Sequence, residues 1–182
     1  FSKISDTCTP QGVLCVLKQF HYNIEEMLRD KAPLFLLLEN IQDPGNLGTM
    51  LRTGEGAGVS GIIMSRDTVD LYNPKVIRST MGSIYRVPFY YADDFAAAVH
   101  QVQQAGVSVY AAHLRGKNSY ACQDYTKGTA FLIGNEGNGL REETAELADC
   151  YIRIPMEGKV ESLNAAVASS ILMYEAHRQR AI

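Results

Sequence analysis

Several features are missing from this 182-residue sequence, and each absence narrows the kind of protein that it can encode. No stretch of about 18 apolar residues is present, so we expect no membrane span. The formal net charge is -3, which argues against the overall positive field expected of a stand-alone nucleic-acid-binding protein. A protein of this charge that acts on nucleic acid would need a local basic patch or a second, more basic module.

Patterns of paired metal ligands or disulfides are also missing. No two cysteines form a C-x-x-C pair, and the four lie far apart: Cys8, Cys15, Cys122 and Cys150. The histidines are scattered in the same way: His21, His100, His113 and His177. We therefore expect reduced thiols in a cytoplasmic protein, and we predict neither a metal site nor a disulfide framework.

Short apolar runs alternate with helical stretches along the chain. Strands are predicted over residues 34–38, 61–64, 85–90, 107–111, 130–133 and 150–154, and Pro88 places the third of these at a sheet edge or end. Helices are predicted over residues 47–58, 73–81, 93–105, 141–148 and 162–178, the last with Leu163, Val167, Ile171 and Tyr174 on one face. This alternation predicts one α/β domain. The sheet should be mostly parallel with helices on both faces, because its apolar runs lack strict alternation with polar residues.

Three loops at the carboxyl ends of predicted strands are rich in Asn, Gly, Glu and Ser. They lie within residues 39–52, 134–139 and 154–164. Turns favour Asn and Gly for backbone reasons alone, so any one of these loops could be an ordinary turn. Ligands of parallel sheets bind beyond the carboxyl ends of the strands, however, and three such loops at one end indicate a binding site.

The standard nucleotide-binding signatures do not account for this site. Residues 134–139 read G-x-x-G-x-G, the reverse of the dinucleotide-binding order, and no G-x-x-x-x-G-K-[ST] motif occurs. No Ser-His-Asp or Cys-His arrangement has the spacing of a known nucleophile elbow. A conventional ATP or dinucleotide enzyme is therefore the least favoured interpretation.

The three loops lie within longer motifs that resemble those of a known family, the SpoU/TrmH RNA 2′-O-ribose methyltransferases of the SPOUT superfamily. Motif 1 of this family is similar to N-I-Q-D-P-G-N-L-G-T-M-L-R-T-G-E-G-A-G-V. Motif 2 resembles F-L-I-G-N-E-G-N-G-L, and motif 3 resembles I-P-M-E-G-K-V-E-S-L-N-A-A-V-A-S-S-I-L-M-Y-E. The motifs occur in the family's order, and the resemblance extends from about Thr9 to Arg178.

The resemblance implies a fold, a cofactor and an assembly. Members of the family fold as an α/β domain with a deep C-terminal trefoil knot, bind S-adenosylmethionine and act as homodimers, so we expect the same here. Residues 13–182 would form this methyltransferase domain. Residues 1–12 would be a linker from an N-terminal RNA-binding domain that lies outside this sequence, because T-P-Q-G at Thr9 to Gly12 resembles the segment that joins such a domain to the catalytic domain in the family.

The resemblance also implies roles for individual residues. The expected catalytic set occupies polar positions of the three motifs: Arg52, Asn46, Glu136, Ser162 and Asn164. The expected cofactor-binding set consists of Ala112, His113, Leu132, Ile133, Gly134, Asn135, Gly137, Ile154, Pro155, Met156 and Leu163. Three cationic side chains lie in another segment that resembles the family: Lys75, Arg78 and Arg86. They are candidates for contacts with RNA phosphates, and the alternative is that they are ordinary solvent-exposed charges.

Arg52 matches the catalytic arginine of the family. A guanidinium stays protonated, so we expect Arg52 to bind phosphate and to stabilise a developing alkoxide instead of acting as a simple base. Glu136 should orient Arg52 or groups on the cofactor side, within one chain or across a dimer interface. Ser162 and Asn164 should cap the last helix, hold Asn46 or the ligands, or do both.

The implied function is transfer of a methyl group from S-adenosylmethionine to a ribose 2′-hydroxyl of RNA. Ribosomal RNA (23S) is favoured over transfer RNA, because the T-P-Q-G junction resembles that of rRNA enzymes. The alternative is a non-catalytic RNA-binding protein of the same fold, and the intact catalytic positions argue against it. Binding of S-adenosylmethionine would distinguish the two.

Overall fold

The computed structural model describes residues 4, 9, 10 and 12–181, so most of the expected linker, residues 1–12, lies outside the described residues. The sheet contains the strands β1 (Leu34–Leu38), β2 (Gly61–Ser65), β3 (Phe89–Ala92), β4 (Ser108–Ala112), β5 (Asn118–Ser119), β6 (Thr129–Ile133) and β7 (Cys150–Arg153). Their order is β3-β2-β1-β6-β4-β7-β5, and each pair of neighbours is parallel. The expected parallel sheet is therefore confirmed.

Helices cover both faces of this sheet, as predicted. They are α1 (Ile24–Met27), α2 (Pro44–Ala57), α3 (Pro74–Ser79), α4 (Phe95–Gln104), α5 (Glu142–Ala145) and α6 (Ala165–Arg180). The central strand β1 is buried throughout: its even-numbered leucines pack with α2, α3 and α6, and Phe35 and Leu37 pack with α1 and α4. None of the described helices combines the length and the apolar content that a membrane crossing requires. The trefoil knot stays a prediction.

Helix α2 carries two of the expected catalytic residues and begins three residues earlier than its apolar spacing predicted. Asp43 caps it by accepting a hydrogen bond from the backbone N–H of Asn46 at 2.8 Å, and Pro44 occupies the first helical position, where a missing N–H costs nothing. Gly48 lets α3 approach closely, because a Cβ there would lie 1.7 Å from Oγ of Ser79. Asn46 therefore lies in the first turn of a helix that is fixed at its start.

The predicted third strand, residues 85–90, is wrong at its start. Ser83–Tyr85 form a 3₁₀ turn, and the backbone N–H groups of Arg86 and Val87 both donate to the carbonyl of Ser83. Strand β3 begins only after Pro88, which has no N–H to donate but accepts from the N–H of Ile62 at 3.0 Å. The predicted edge position of this strand is confirmed.

Other boundaries differ because short segments carry little pattern. The sequence predicted neither α1 nor β5, and α5 spans only Glu142–Ala145. The last helix begins after Asn164, and its buried side chains are Ala166, Ser169, Leu172, Met173 and Ala176. The face that carries Val167 and Tyr174 is half exposed, at 48% and 50%. The face of α6 that carries the large apolar residues is therefore not the face that packs on the sheet.

Candidate functional site

A cleft of about 270 Å³ opens beyond the carboxyl ends of β4, β6 and β7, and we call it the strand-end cleft. Nine of the expected cofactor-binding residues line it: Ala112, His113, Ile133, Gly134, Asn135, Gly137, Ile154, Met156 and Leu163. The expected catalytic residues Glu136 and Ser162 also line it. The remaining lining residues were not among the expected cofactor-binding or catalytic residues, and they are Leu114, Asn138, Gly139, Leu140, Ile152, Arg153, Glu161, Ala165 and Ala168.

Two expected cofactor residues, Leu132 and Pro155, do not line the cleft. Leu132 is fully buried in the sheet, paired with Leu37 on one side and Ala111 on the other. Pro155 is exposed. Ile133 follows Leu132, and Ile154 and Met156 flank Pro155. These neighbours line the cleft because successive side chains of an extended chain point in opposite directions.

The loop after β6 is a small, tightly bonded hairpin. Asn135 and Gly139 exchange two backbone hydrogen bonds of 3.0 and 2.9 Å, and the Asn135 side-chain oxygen accepts from the N–H groups of Gly137 and Asn138. Gly134 enters this hairpin so closely that a Cβ would lie 2.2 Å from the carbonyl carbon of Gly139. The glycine-rich motif is therefore needed to bring two backbone segments together at the wall of the cleft.

Glu136 connects this hairpin to the start of α2. Its carboxylate accepts from the backbone N–H groups of Gln42 and Asp43 at 3.1 and 3.0 Å, and from Nδ2 of Asn46 at 3.0 Å. Partial burial raises the pKa of Glu136, but the hydrogen bonds from Asn46 and the two amides outweigh it, so that the pKa lies below its ordinary value. Glu136 is thus a fixed anion that holds motif 1 against motif 2.

Asn46 in turn connects to the start of α6. Its Oδ1 accepts from Nδ2 of Asn164 at 3.0 Å, while Oδ1 of Asn164 accepts from the backbone N–H groups of Ala166 and Val167. Asn164 therefore both caps α6 and holds Asn46, as the sequence predicted. Ser162 lines the cleft and does not cap the helix. The three motifs thus meet in one chain of side chains, Glu136–Asn46–Asn164.

A buried glutamate that sequence reasoning missed supports the same hairpin from behind. Glu39 is 1% exposed, although it stands at the carboxyl end of β1. It accepts from the backbone N–H of Arg141 at 2.8 Å and from the Thr144 hydroxyl, and the Arg141 guanidinium lies 3.6 Å away. Arg141 also pairs with Asp67. A carboxylate this deeply buried requires such partners, and they tie the end of the hairpin to β1 and β2.

Asn40 is a second missed residue. It adopts a left-handed backbone conformation, with φ of 53°, which asparagine tolerates better than most residues. Its N–H donates to the Ser65 hydroxyl and its carbonyl accepts from Nδ2 of Asn135, both at 2.8 Å. The only sequence signal for Asn40 was its place at the start of motif 1.

His113 lines the cleft as a neutral ring. Its Nδ1 accepts from the backbone N–H of Arg115 at 3.1 Å, and its ring centroid lies 5.0 Å from that of Tyr151. Burial, followed by the positive charge of Arg115, lowers the pKa of His113, and the Glu142 carboxylate offsets this only in part. The cleft therefore does not acquire a positive charge from this histidine at neutral pH.

Arg52 lies apart from this network. It is exposed in the middle of α2, and within the described residues it makes no hydrogen bond or ion pair. Glu136, which was expected to orient either Arg52 or cofactor-side groups, instead bonds to Asn46 and the backbone before α2. The expected catalytic residues are thus brought together except for the arginine.

Exposed apolar side chains occur on both of the segments that flank Arg52. In α2, Gly48 contacts Ser79 and Glu55 pairs with Arg86. The segment between α3 and β3 therefore runs along one flank of Arg52. Helix α6 lies along the other flank, where Ser170 bonds to Thr53. Four half-exposed or exposed side chains lie on these flanks: Met81 at 69%, Tyr85 at 54%, Val167 at 48% and Tyr174 at 50%. We call this the Arg52 surface.

The three cations expected to contact RNA are not equivalent. Lys75 and Arg78 are exposed on α3, where neither forms an ion pair with a described residue. Arg86 is paired with Glu55, whose pKa is lowered chiefly by the hydrogen bond from Arg86. Arg86 would have to exchange Glu55 for a phosphate, whereas Lys75 and Arg78 would not, and all three stay predicted RNA contacts. The described residues contain no group of three or more His, Cys, Asp or Glu side chains suited to a metal ion.

Comparison with known proteins agrees with this geometry. A family model described as the SpoU rRNA Methylase family matches residues 33–174. A 23S rRNA (guanosine(2553)-2′-O)-methyltransferase of Bacillus subtilis is 36% identical over 174 residues, which cover 96% of this chain and 68% of that protein. A 23S rRNA (guanosine-2′-O-)-methyltransferase of Ralstonia nicotianae is 33% identical, with coverages of 98% and 74%.

Solved structures show the same likeness. An AdoMet-bound rRNA methyltransferase from Sinorhizobium meliloti superposes with a TM-score of 0.80 at 37% identity, covering 88% of this chain and 62% of that one. The SpoU methyltransferase AviRb from Streptomyces viridochromogenes superposes with a TM-score of 0.82 at 30% identity, covering 87% and 64%. The chain thus spans about two thirds of the length of these relatives.

Proposed function

Because the chain belongs to the SpoU rRNA Methylase family, we propose that it transfers a methyl group from S-adenosylmethionine to a ribose 2′-hydroxyl of RNA. The observation that carries this proposal is the strand-end cleft, whose walls come from all three motifs and are joined by the Glu136–Asn46–Asn164 chain. The relatives named for 23S rRNA favour that RNA as the substrate, and hence a cytoplasmic site of action.

The residues of the cleft fit this cofactor. Ile133, Ile154, Met156 and Leu163 give an apolar slot at the strand ends, where backbone amides and carbonyls are available to an adenine edge. The carboxylates of Glu136 and Glu161 also line the cleft, which suits a cationic sulfonium. When bound, S-adenosylmethionine supplies an electrophilic methyl group to the attacking ribose oxygen.

The chain's own residues supply positioning and charge. Glu136, Asn46 and Asn164 hold the walls of the cleft in fixed relative positions. Arg52 remains protonated, so it does not take the hydroxyl proton; it binds a phosphate of the RNA and stabilises the negative charge that develops on the 2′-oxygen. A phosphate oxygen of the substrate is the proton acceptor that this arrangement favours.

The Arg52 surface supports a homodimer. Four exposed apolar side chains around one arginine, Met81, Tyr85, Val167 and Tyr174, are the composition of an interface core. In the twofold pairing that we propose, Arg52 of one subunit reaches the cleft of the other, where the Glu136–Asn46–Asn164 chain contains no cation. Sedimentation should show a dimer for the parent and a shift to monomer for Tyr174→Lys. A monomeric parent would contradict the pairing.

Calorimetry and methylation assays test the activity itself. The parent should bind S-adenosylmethionine and transfer a tritiated methyl group to a 23S rRNA transcript. Arg52→Ala should cut turnover by about 100-fold or more and leave cofactor binding nearly intact, because a transition-state charge loses its partner. Arg29→Ala is the matched control, since Arg29 is also exposed but lies on the turn after α1.

Two outcomes would contradict the proposal in different ways. Failure to bind S-adenosylmethionine at millimolar concentration would favour the non-catalytic RNA-binding alternative. Full turnover in Arg52→Ala would remove the assigned role of the arginine while leaving the methyl transfer intact. Mapping of ribose methylations lost from rRNA and tRNA in a deletion strain would then identify the target nucleotide.

A further inference from the structure

An aromatic cavity lies outside the strand-end cleft, against the edge strand β3. Its volume is about 500 Å³, within the range of sites that hold small ligands. One wall is the segment Gln19–Tyr22, and the other is formed by β3 and the loop after β2. Its lining is Gln19, Phe20, His21, Tyr22, Arg66, Thr68, Asp70, Tyr72, Phe89, Tyr90 and Tyr91. The cavity has no part in the methyl-transfer site described above.

The aromatic walls are held in place by hydrogen bonds. The Tyr72 hydroxyl accepts from the backbone N–H of Phe20 at 2.8 Å and donates to its carbonyl at 3.4 Å, which fixes the incoming segment to the body of the domain. The Phe20 ring stacks on Tyr22 with centroids 6.0 Å apart, and Tyr22 packs edge-to-face on Phe89 at 5.3 Å. The segment and its aromatic rings are therefore fixed against the body of the domain.

Two charged side chains complete the lining. Among the described residues Arg66 pairs only with Asp93, and both side chains are largely exposed, at 62% and 82%, so this ion pair is weak and can be exchanged for another anion. One carboxylate oxygen of Asp70 accepts from the backbone N–H of Tyr72, and the other makes no hydrogen bond to a described residue. The cavity thus offers one cation and one free acceptor beside its aromatic rings.

The cavity borders the proposed dimer interface on one side and the strand-end cleft on another. Phe20 packs edge-to-face on Tyr85, with centroids 6.0 Å apart, and Tyr85 belongs to the Arg52 surface. Arg66 is followed by Asp67, which pairs with Arg141 at the end of the cleft hairpin. RNA bound at the strand-end cleft of the same chain can therefore extend past Asp67 and Arg141 to this cavity.

We propose that the aromatic cavity binds an unpaired nucleotide of the RNA substrate, adjacent to the nucleotide that is methylated. Aromatic stacking, a guanidinium for the phosphate and a carboxylate for an exocyclic amino group are the means by which proteins hold single-stranded RNA bases. In this chain they are supplied by Phe20 and Tyr22, by Arg66 and by Asp70. The inference rests on the proposed function for the identity of its ligand.

Fluorescence anisotropy with labelled RNA of about 12 nucleotides, single-stranded or as a duplex of the same sequence, tests the proposal. The parent should prefer the single strand. Phe20→Leu keeps an apolar side chain but loses the π-face, so its Kd for the single strand should rise by roughly tenfold. Arg66→Gln should reduce the slope of log Kd against log salt by about one. Val16→Ala is the control, because Val16 lies on the same segment at 91% exposure and lines no part of the cavity.

The outcomes separate this inference from the proposed function. Parent-like single-strand binding and salt dependence in Arg66→Gln would overturn the cavity assignment, and this exposed position cannot fail by unfolding the domain. A parent that prefers the duplex would also overturn it. By contrast, failure of the parent to bind S-adenosylmethionine in calorimetry would overturn the methyltransferase proposal, whatever the RNA titrations show.

Discussion

Replacing Gly134 by alanine tests how closely the wall of the strand-end cleft is built. The new Cβ would lie 2.2 Å from the carbonyl carbon of Gly139 and from the amide nitrogen of Leu140. These are backbone atoms, so the hairpin must shift by roughly 1 Å to restore ordinary van der Waals contact. Overpacking of this kind lowers the free energy of unfolding by about 1–3 kcal/mol. For a chain of this size, that corresponds to a loss of roughly 3–10 °C in melting temperature.

The assays are a thermal melt and calorimetry with S-adenosylmethionine, and the control is in the same loop. At Gly137 the nearest atom to a new Cβ is Oδ1 of Asn135 at 3.6 Å, an ordinary contact, so Gly137→Ala should melt near the parent. Gly134→Ala should melt lower and lose roughly 100-fold in turnover, because a displacement of this size misplaces the reacting groups. Parent-like melting and cofactor affinity in Gly134→Ala would refute the reasoning.

Two further substitutions separate structural from functional contacts. Asn164→Ala removes the N-cap of α6 and should cost about 1 kcal/mol in unfolding free energy. Asn164→Asp keeps the cap but replaces the donor to Asn46 with a carboxylate oxygen that faces the Asn46 Oδ1 acceptor, so it should reduce turnover with a melting temperature near the parent. Parent-like turnover in Asn164→Asp would mean that the Asn46 contact has no catalytic role. Glu136→Gln should lower the free energy of unfolding by about 1–2 kcal/mol at neutral pH. This range is smaller than for a fully buried carboxylate, because Glu136 is partly exposed. The pKa of Glu136 is lower in the folded protein than in the unfolded one. Its contribution to stability is therefore complete when the pH is above the pKa of the unfolded state, and is lost as the pH falls through the pKa of the folded state. The difference in melting temperature between parent and Glu136→Gln should therefore vanish at acidic pH, and a constant difference would contradict it.

The sequence was sufficient to predict the parallel sheet and most of the cleft. Buried strands such as Leu34–Leu38 are continuous apolar runs, and the loops at their carboxyl ends carry the polar motifs. The contact between Asn46 and Asn164, 118 residues apart, was predicted only because both positions match family motifs. Periodicity alone contains no information about which loops meet.

The parts that sequence reasoning missed depend on tertiary contacts. Nothing local marks Glu39 as buried, because its burial follows from Arg141 and Thr144, more than 100 residues away. The packed face of α6 uses Ala166 and Ser169, whose small side chains allow close contact with the rest of the domain. A pattern of large apolar residues therefore selected the opposite face, with Val167 and Tyr174.

Helix geometry explains why Arg52 stands apart from the network that the motifs build. Asn46 and Arg52 are six residues apart on α2, which places them roughly 120° apart around the helix axis and about 9 Å apart along it. Asn46 contacts Glu136 directly. The Arg52 side chain leaves the helix in a different direction and therefore points away from Glu136. Under the proposed pairing, Arg52 serves the partner's cleft, and an equal mixture of Arg52→Ala and Glu136→Gln chains should recover roughly a quarter of the parent turnover, since half of the dimers then hold one complete site. If both variants are inactive alone and stay inactive after mixing and exchange, Arg52 and Glu136 of the same chain act in one site, which would contradict the pairing.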